Sequence, residues 1–382
     1  MIKGSKRLDT VSEYYFSRKL REVSALHDSV QPVINMGIGS PDLFPSKEII
    51  KALKKSLDHK NAHKYQSYQG LLELRDAISK FYYKFFRVKL NPENEVLPLI
   101  GSKEGIMHIS LAFLNPGDEV LIPNPGYPTY LSVTKLVEAN PLFYDLSKEN
   151  NWFPNLYDLE KKDLSKVKIM WVNYPHMPTG SSATLKQFHE LVIFARKNNI
   201  LLVNDNPYSF ILNNDFISLL SVKGSKENCM ELNSLSKSFN LSGWRIGMLL
   251  GAKKNISRVL KVKSNMDSGM FYGIQKGAIE ALNSDINWFK KLNTIYNKRR
   301  ELVWELASIL NCKFDKNSKG LFVWAKLPKG IKDSKSFIDK LLIDKKIFIA
   351  PGTIFGSKGE GYIRFSLCVK ENEIKEAIKR CK

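Results

Sequence analysis

The segment S-L-S-K-S-F-N-L-S-G-W-R-I-G at residues 234–247 contains the most reactive combination of side chains. The amine of Lys237, once it has lost its proton, can form a Schiff base with a carbonyl group. Ser234, Ser236 and Arg245 lie close to it in sequence, and hydroxyls, backbone N–H groups and a guanidinium bind phosphate. Taken alone, the segment could also be a surface loop with scattered charges.

A carboxylate follows an apolar run in V-N-D-N-P-Y, where Asp205 comes directly after residues 200–203. A carboxylate at the end of a strand can pair with a protonated nitrogen of a ligand. The alternative is an ordinary turn, in which aspartate commonly bonds to nearby backbone.

A third segment, L-I-G-S-K-E-G-I at residues 99–106, predicts a strand that turns through glycine into a helix. The free N–H groups and the dipole at the start of such a helix attract an anion. Arg364 in G-Y-I-R-F-S-L lies within a predicted strand, where its guanidinium could bind a carboxylate through two hydrogen bonds. The alternative for Arg364 is a residue that faces solvent.

The pattern between these segments is an alternation of helices and short apolar strands, which predicts an α/β fold with a mostly parallel sheet covered by helices on both faces. Ligands then bind at the carboxyl ends of the strands. The predicted helices are 46–57, 70–87, 103–114, 127–138, 184–198 and 253–265, and the strands are 96–100, 119–123, 141–144, 167–172, 200–204, 229–232 and 246–250.

The two ends of the chain differ from this pattern. A helix is predicted over residues 10–28, with Val11, Tyr15, Leu20, Val23 and Leu26 on one stripe. After a long helix at 285–310, three runs at 319–327, 347–351 and 362–369 resemble antiparallel strands, with helices at 333–344 and 371–381. We therefore predict a large domain over 45–284 and a smaller α+β domain built from 285–382 and the N-terminal segment 1–44.

Composition excludes several classes of protein. The 382 residues contain no apolar run near the roughly 18–20 residues that span a bilayer. The four cysteines are scattered, which predicts a reducing cytoplasm and no metal site. The net charge is +21, but the basic residues are dispersed, and the densest group, Lys253, Lys254, Arg258, Lys261 and Lys263, has the spacing of a solvated helix face. We predict neither a nucleic-acid nor a membrane partner.

These motifs, in this order and over nearly the whole chain, resemble the class I/II aminotransferases, which are fold type I enzymes dependent on pyridoxal 5′-phosphate. G-S-K-E-G-I and V-K-S-N-M-D-S-G-M-F are similar to the branch that contains aspartate and diaminopimelate aminotransferases. The resemblance implies that Lys237 carries the cofactor covalently, that Asp205 pairs with the ring nitrogen, that Tyr208 donates to the 3-oxygen and that Tyr127 stacks on the ring. Tyr127 could instead be a core aromatic.

The resemblance also assigns the remaining binding groups. Arg364 and the backbone of Gly39 are implied for the substrate carboxylate, and Tyr65 for the phosphate of a neighbouring subunit, which implies a homodimer with shared sites. The residues implied for the phosphate of the same subunit are Gly101, Ser102, Lys103, Ser234, Ser236 and Arg245.

One position departs from the family. Family members have asparagine directly before Pro-Thr-Gly, where its amide donates to the 3-oxygen of the cofactor, and this chain has Met177 in N-Y-P-H-M-P-T-G. A thioether cannot donate a hydrogen bond. Asn173, which we include among the cofactor-binding residues, and His176 are possible substitutes.

The predicted function is the transfer of an amino group between an amino acid and a 2-oxo acid by a ping-pong mechanism, with Lys237, Asp205 and Tyr208 as the catalytic residues. Two alternatives stay open. The same fold and cofactor also support carbon–sulfur lyases and decarboxylases. More distantly, the chain could be a basic binding protein without activity.

Overall fold

The computed structural model describes residues 2–26, 30–331 and 333–382. Its helices are α1 (Tyr15–Ala25), α2 (Lys47–Ser56), α3 (Leu72–Phe86), α4 (Ser102–Phe113), α5 (Pro128–Leu136), α6 (Leu156–Glu160), α7 (Leu185–Lys197), α8 (Leu235–Ser238), α9 (Lys253–Lys263), α10 (Tyr272–Leu282), α11 (Ile286–Ile309), α12 (Ser334–Lys345) and α13 (Glu371–Cys381). Its strands are β1 (Ile34–Asn35), β2 (Val96–Leu99), β3 (Glu119–Asn124), β4 (Asn140–Asp145), β5 (Val167–Val172), β6 (Leu201–Asp205), β7 (Cys229–Ser234), β8 (Gly247–Gly251), β9 (Lys313–Phe314), β10 (Phe322–Lys326), β11 (Ile347–Phe348), β12 (Ala350–Pro351) and β13 (Tyr362–Ser366).

The large sheet has seven strands in the order β2-β8-β7-β6-β5-β3-β4. All seven predicted apolar runs fall in it. β8 pairs antiparallel with both β2 and β7, whereas the remaining pairs are parallel. The twelve residues between β7 and β8 contain only the four-residue helix α8 and a 3-10 turn instead of a full crossover helix, and the two strands pair antiparallel. The prediction of a mostly parallel sheet is confirmed.

Alternate residues along the central strands face opposite sides of the sheet. Met170 and Leu202 belong to one buried cluster, and their neighbours Ile169 and Val203 belong to another. Both faces are therefore covered by apolar side chains of helices, which explains why these strands have continuous apolar sequences.

The smaller sheet has four antiparallel strands in the order β12-β13-β10-β9. The predicted antiparallel strand at 347–351 is partly wrong, because its first half, β11, pairs parallel with β1 near the N-terminus. Only its second half, β12, joins the antiparallel sheet.

The N-terminal helix differs from its prediction in length and in orientation. α1 begins at Tyr15 and ends at Ala25, so Val11 lies outside it, and the predicted residues 27–28 lie outside the described part of the chain. The buried side consists of Phe16, Lys19 and Val23, whereas Leu20 is exposed. Phe16 and Val23 belong to the cluster around the smaller sheet. The boundaries at residues 44 and 284 stay predictions.

Among the described helices, α6, α8 and α10 were not predicted. α10 contains Gly273 and Gly277, and glycine has a low helix propensity. A Cβ on Gly277 would lie 2.6 Å from the ring of Trp244, so close packing explains the glycine there. In the described part of the chain, no helix is both long and apolar enough to cross a membrane.

Candidate active site

A cavity of about 500 Å³ lies at the carboxyl ends of the parallel strands, between the large sheet, α1 and the smaller sheet. The structure thus brings together predicted site residues that are up to 325 positions apart, since Gly39 and Arg364 both line it. The predicted site residues along the cavity wall are Gly39, Ser102, Lys103, Tyr127, Asn173, Asp205, Tyr208, Ser234, Ser236, Lys237, Arg245 and Arg364.

Lys237 lies in the short helix α8 that directly follows β7. Its Nζ donates a hydrogen bond to the backbone oxygen of Gly39 at 2.5 Å. Burial lowers the pKa of Lys237, and the positive charges of Arg364 and Arg245 add to this effect. A lysine amine with a lowered pKa is easier to deprotonate and is therefore a better nucleophile and base.

Asp205 ends β6, and its carboxylate is buried. Oδ2 accepts a hydrogen bond from the Tyr130 hydroxyl at 3.0 Å, whereas Oδ1 has no partner among the described residues. Burial raises the pKa of Asp205 to about 7. A buried, unpartnered carboxylate oxygen is unfavourable unless a ligand supplies a donor.

The start of α4 forms an anion-binding cradle. Gly101 has φ 88°, a conformation that favours glycine, and a Cβ there would lie 2.2 Å from Arg245 Nη2, so the guanidinium would have to move. Burial and the charge of Arg245 both lower the pKa of Lys103. Ser234 Oγ accepts the N–H of Ser236 at 3.1 Å. These cations and donors match a phosphate group.

Glu104 stabilises the turn that leads into α4. Its Oε2 accepts the N–H of Ile100 at 2.5 Å, and its Oε1 contacts His108 Nε2 at 2.8 Å. Nearby, Lys263 is fully buried and forms an ion pair with Asp267 at 2.8 Å. The prediction that Lys263 belongs to a solvated face is therefore wrong, because its side chain supports the loop after α9.

Arg364 is buried and has no carboxylate partner in the part of the chain that the structure describes. Nη2 donates to Gly37 O at 2.7 Å and Nη1 to Met177 Sδ at 3.2 Å, while Nε has no partner. The guanidinium lies over the rings of Phe322 and Phe355, at 3.9 and 4.6 Å from their centroids. Burial lowers its pKa to about 10. The site needs an anion at this position.

The structure separates the two possible substitutes for the missing asparagine. Asn173 lines the cavity, where its Nδ2 donates to the backbone oxygen of Asp205 and its Oδ1 accepts the N–H of Met177. His176 is not part of the cavity wall and bonds to Thr179 at 2.8 Å, and burial lowers its pKa to about 3. Asn173 is the better placed of the two.

Sequence reasoning missed the outer wall of the cavity, which consists of Tyr14, Phe16, Leu20, Ile38, Phe322 and Phe355. Lys103 Nζ lies 4.5 Å from the centroid of the Tyr14 ring. Alternation in the strand 322–326 could have indicated that Phe322 and Trp324 share a face. Nothing local indicated that the start of α1 reaches the site. Tyr65, in contrast, lies outside the cavity and is 90% exposed.

Comparison with known proteins decides the class of this chain. Residues 31–381 match the family model "Aminotransferase class I and II". The chain belongs to this family. It is a pyridoxal-phosphate-dependent aminotransferase with the fold type I architecture, as the motifs predicted. Neither the lyase nor the binding-protein alternative gains support from the relatives.

The relatives of this aminotransferase cover its whole length. It is 40% identical over 379 residues to an LL-diaminopimelate aminotransferase of Dehalococcoides mccartyi, which covers 99% of this chain and 97% of that protein. It is 38% identical over 384 residues to the LL-diaminopimelate aminotransferase of Aquifex aeolicus, with 100% and 99% covered. Among solved structures, substrate-bound BacF of Bacillus subtilis has a TM-score of 0.93 and 33% identity, with 100% and 97% covered.

The residues present in this aminotransferase fit the cofactor. The orphaned Asp205 Oδ1 matches a protonated ring nitrogen, and the cradle at Gly101, where a Cβ would collide with Arg245, matches a phosphate held by backbone and guanidinium. The lysine with the lowered pKa matches an aldehyde. These three groups therefore correspond to the ring nitrogen, the phosphate and the aldehyde of pyridoxal phosphate.

Proposed function

We propose that this aminotransferase uses Lys237 as its covalent lysine and proton carrier and binds the α-carboxylate of its substrates at Arg364. The observation that carries the proposal is the buried guanidinium of Arg364, which has aromatic neighbours but no counter-charge among the described residues. A carboxylate supplies that charge and accepts two parallel hydrogen bonds.

Each side chain then has one task. Pyridoxal phosphate, when bound, supplies the electron sink that allows a proton to leave the substrate's α-carbon. Lys237 Nζ takes this proton as a base and returns it as an acid, which a lowered pKa favours. Asp205 Oδ1 holds the ring nitrogen in its protonated form. Tyr208 and Asn173 are proposed to contact the ring's oxygen substituent, and Tyr127 its face.

The phosphate is proposed to bind between the start of α4 and the segment after β7. The groups that hold it are the backbone at Gly101 and Ser102 with the side chains of Lys103, Ser234, Ser236 and Arg245. Because these groups lie at the start of α4, at the end of β7, in α8 and in the loop before β8, phosphate binding would also fix these segments relative to each other.

Reduction with borohydride followed by peptide mass spectrometry tests the covalent site. We expect a pyridoxyl group on Lys237 in the wild type and on no lysine in Lys237→Ala. Lys103→Ala is the matched control, because it removes a second lysine of the same cavity. Label on another lysine in the wild type would contradict the assignment.

Two substrate classes have support. The names of the relatives favour LL-diaminopimelate. The cavity of this chain favours a large apolar side chain, because its outer wall is formed by Tyr14, Phe16, Ile38, Phe322 and Phe355. We propose LL-diaminopimelate as the first candidate because the identity extends over the full length, and aromatic amino acids as the second.

A single-turnover half-reaction distinguishes the two classes. The holoenzyme is mixed with LL-diaminopimelate, L-aspartate or L-phenylalanine, and the cofactor's absorption is followed. The first proposal expects conversion to be fastest with LL-diaminopimelate, and faster conversion of phenylalanine would support the second. Phenethylamine, which lacks the carboxylate, should react at least about 100-fold more slowly than phenylalanine if Arg364 binds that group.

We further propose a homodimer with shared sites in a reducing compartment such as the cytoplasm. Leu57, Tyr65, Tyr68, Met266 and Phe271 are exposed on segments that adjoin in space, because a Cβ on Gly273 would touch both Phe271 and Leu57 and one on Gly269 would touch the backbone at Gln66. Clusters of exposed apolar side chains mark interfaces. All four cysteines are free thiols, which supports the compartment.

A further inference from the structure

Glu231 lies in the middle of β7 and is fully buried, yet no lysine or arginine among the described residues forms an ion pair with it. Its two oxygens accept five hydrogen bonds instead. Oε1 accepts from Tyr82, Asn206 and Ser218 at 3.0, 3.3 and 2.9 Å. Oε2 accepts from Asn204 and the backbone of Leu219 at 3.2 and 2.9 Å.

The partners of Glu231 lie next to the residues of the active site. Asn204 and Asn206 flank Asp205 at the end of β6. Asn204 Oδ1 also accepts the N–H of Tyr174 at 3.0 Å and so holds the end of β5 beside Asn173. One carboxylate therefore connects the carboxyl ends of two strands that carry cofactor-binding residues.

A second branch runs from Glu231 to the end of β7. The Tyr82 hydroxyl, which donates to Glu231, accepts a hydrogen bond from Asn233 Nδ2 at 2.9 Å. Asn233 Oδ1 in turn accepts the N–H of Ser234 at 2.7 Å. Ser234 is one of the residues proposed to bind the phosphate.

Glu231 makes these hydrogen bonds on the face of the sheet opposite to the side chain of Asp205. In the register of β6 and β7, Glu231 pairs with Asn204 and Leu232 pairs with Asp205, and side chains alternate between faces along a strand. Glu231 is also absent from the wall of the cavity. It cannot touch the cofactor or the substrate.

We propose that Glu231 is a positioning residue that fixes the ends of β5, β6 and β7 and thereby holds Asp205 and Ser234 in place for the cofactor. A buried carboxylate without a counter-ion is unfavourable, and an apolar side chain would fill the same position at lower cost. A fully bonded polar network, however, permits a single arrangement of its members. The proposal rests on the cofactor-binding role assigned above to Asp205.

The test compares Glu231→Gln with Leu282→Ala. Glutamine has nearly the same size as glutamate, but it replaces one acceptor oxygen with an NH₂ group that donates. The hydroxyls of Tyr82 and Ser218 can rotate to accept from this group. The side-chain NH₂ of Asn206 also donates and would have to flip to avoid an unpaired donor. Leu282 is a buried residue in the last turn of α10, a helix that carries no site residue. It serves as the control for a loss of stability alone.

For each protein, the dissociation constant of pyridoxal phosphate, the half-reaction rate and the melting temperature are measured. We expect Glu231→Gln to bind the cofactor about 10-fold more weakly and to react up to about 100-fold more slowly, whereas Leu282→Ala lowers the melting temperature with little change in either. Wild-type cofactor affinity and rate in Glu231→Gln would overturn the proposal, as would equal losses in Leu282→Ala.

Two further variants keep the test decisive. If Glu231→Gln does not fold, Tyr82→Phe removes only the hydroxyl between Glu231 and Asn233, and we expect a weaker cofactor affinity of about 3- to 10-fold, of the order of one lost hydrogen bond. An unchanged affinity there would overturn the proposal. Asp205→Asn distinguishes a failure of this proposal from a failure of the role proposed for Asp205, because a normal half-reaction rate in that variant would contradict the role of Asp205 itself.

Discussion

Lys237 and Asp205 line the same cavity, and burial moves their pKa values in opposite directions. The lysine is more readily neutral and the aspartate more readily protonated than in water, because a buried site penalises charge of either sign. In the proposed roles, bound pyridoxal phosphate would relieve both penalties, because Lys237 would hold its aldehyde carbon and Asp205 would pair with its protonated ring nitrogen. The cofactor-free protein therefore retains an electrostatic cost at Asp205.

This cost predicts how stability depends on pH. The pKa of Asp205 is raised from its ordinary 3.8 to about 7, so between these values the folded cofactor-free protein binds more protons than the unfolded chain. Its free energy of unfolding should then fall as pH rises from about 4 to 7, by up to about 1.4 kcal/mol per pH unit from this group.

Chemical denaturation of the cofactor-free wild type and of Asp205→Asn measures this contribution. The stability of the wild type relative to the variant should decline across that window and level off above it. A difference in unfolding free energy between the two proteins that stays constant, or that grows with pH, would show that the pKa of Asp205 is not raised.

Met177 provides the second prediction at this scale. Asparagine at this position would add a donor for the 3-oxygen of the cofactor, and a donor withdraws negative charge from that oxygen. The pH midpoint of the bound cofactor's absorption change should therefore be lower in Met177→Asn than in the wild type, by about 1 unit.

Met177→Leu is the control, because leucine removes the sulfur that accepts from Arg364 but adds no donor. Its midpoint should stay near that of the wild type. A midpoint that does not fall in Met177→Asn would mean that Asn173 already supplies the donor.

At the scale of elements, α1 closes the cavity and is anchored by one buried cation. Lys19 forms ion pairs with Glu22 in the same helix, at 2.7 Å, and with Asp339 in α12, at 2.8 Å. The first turn of α1 and the residue before it place Phe16 and Tyr14 in the outer wall. The position of this wall therefore depends on a contact between the two ends of the chain.

Lys19→Met should loosen that contact and raise the KM of the amino-acid substrate about 10-fold, with a smaller effect on kcat, because the outer wall contacts substrate and not the reacting atoms. Steady-state kinetics measure both constants. Arg21→Met on the same helix is the control, since Arg21 pairs with Glu13 in solvent and such pairs contribute little. Equal effects in the two variants would show that α1 acts only through its own stability.

At the scale of the molecule, the role proposed for Tyr65 predicts that one chain cannot form a complete site by itself. Its side chain is exposed and lies outside the cavity of its own subunit, which agrees with the proposal that it reaches the phosphate of a neighbour. The other exposed apolar side chains of the proposed interface lie on the same segment or on adjoining ones.

Mixing two inactive variants tests this proposal. Lys237→Ala and Tyr65→Ala each impair every site of a homodimer, but a mixed dimer contains one site with Lys237 from one subunit and Tyr65 from the other. After the subunits are mixed under exchanging conditions, activity should exceed that of both parents and approach about a quarter of the wild type, because half of the dimers are then mixed and each has one intact site. Activity that never exceeds the more active parent would contradict shared sites.

Much of this protein was determined by the sequence alone. The seven strands of the large sheet and most helices follow from apolar periodicity, and the roles predicted for Gly101, Lys237 and Arg245 follow from short motifs that resemble the aminotransferase family. These features are local, because they depend on backbone geometry and on neighbours within about ten residues. The family, the cofactor and the fold follow from them and are confirmed by the comparisons.

The tertiary structure alone decided the rest. Four features cannot be derived from local sequence pattern, because each depends on partners elsewhere in the chain. They are the antiparallel direction of β8, the buried side of α1, the burial of Lys263 and the ring contacts of Arg364. Arg364 contacts Met177, which lies 187 positions away, and Glu231 bonds to Tyr82, 149 positions away. A side chain's environment is set by the packing of distant segments, so the sequence supplied the reactive groups and the fold determined their partners and their pKa values.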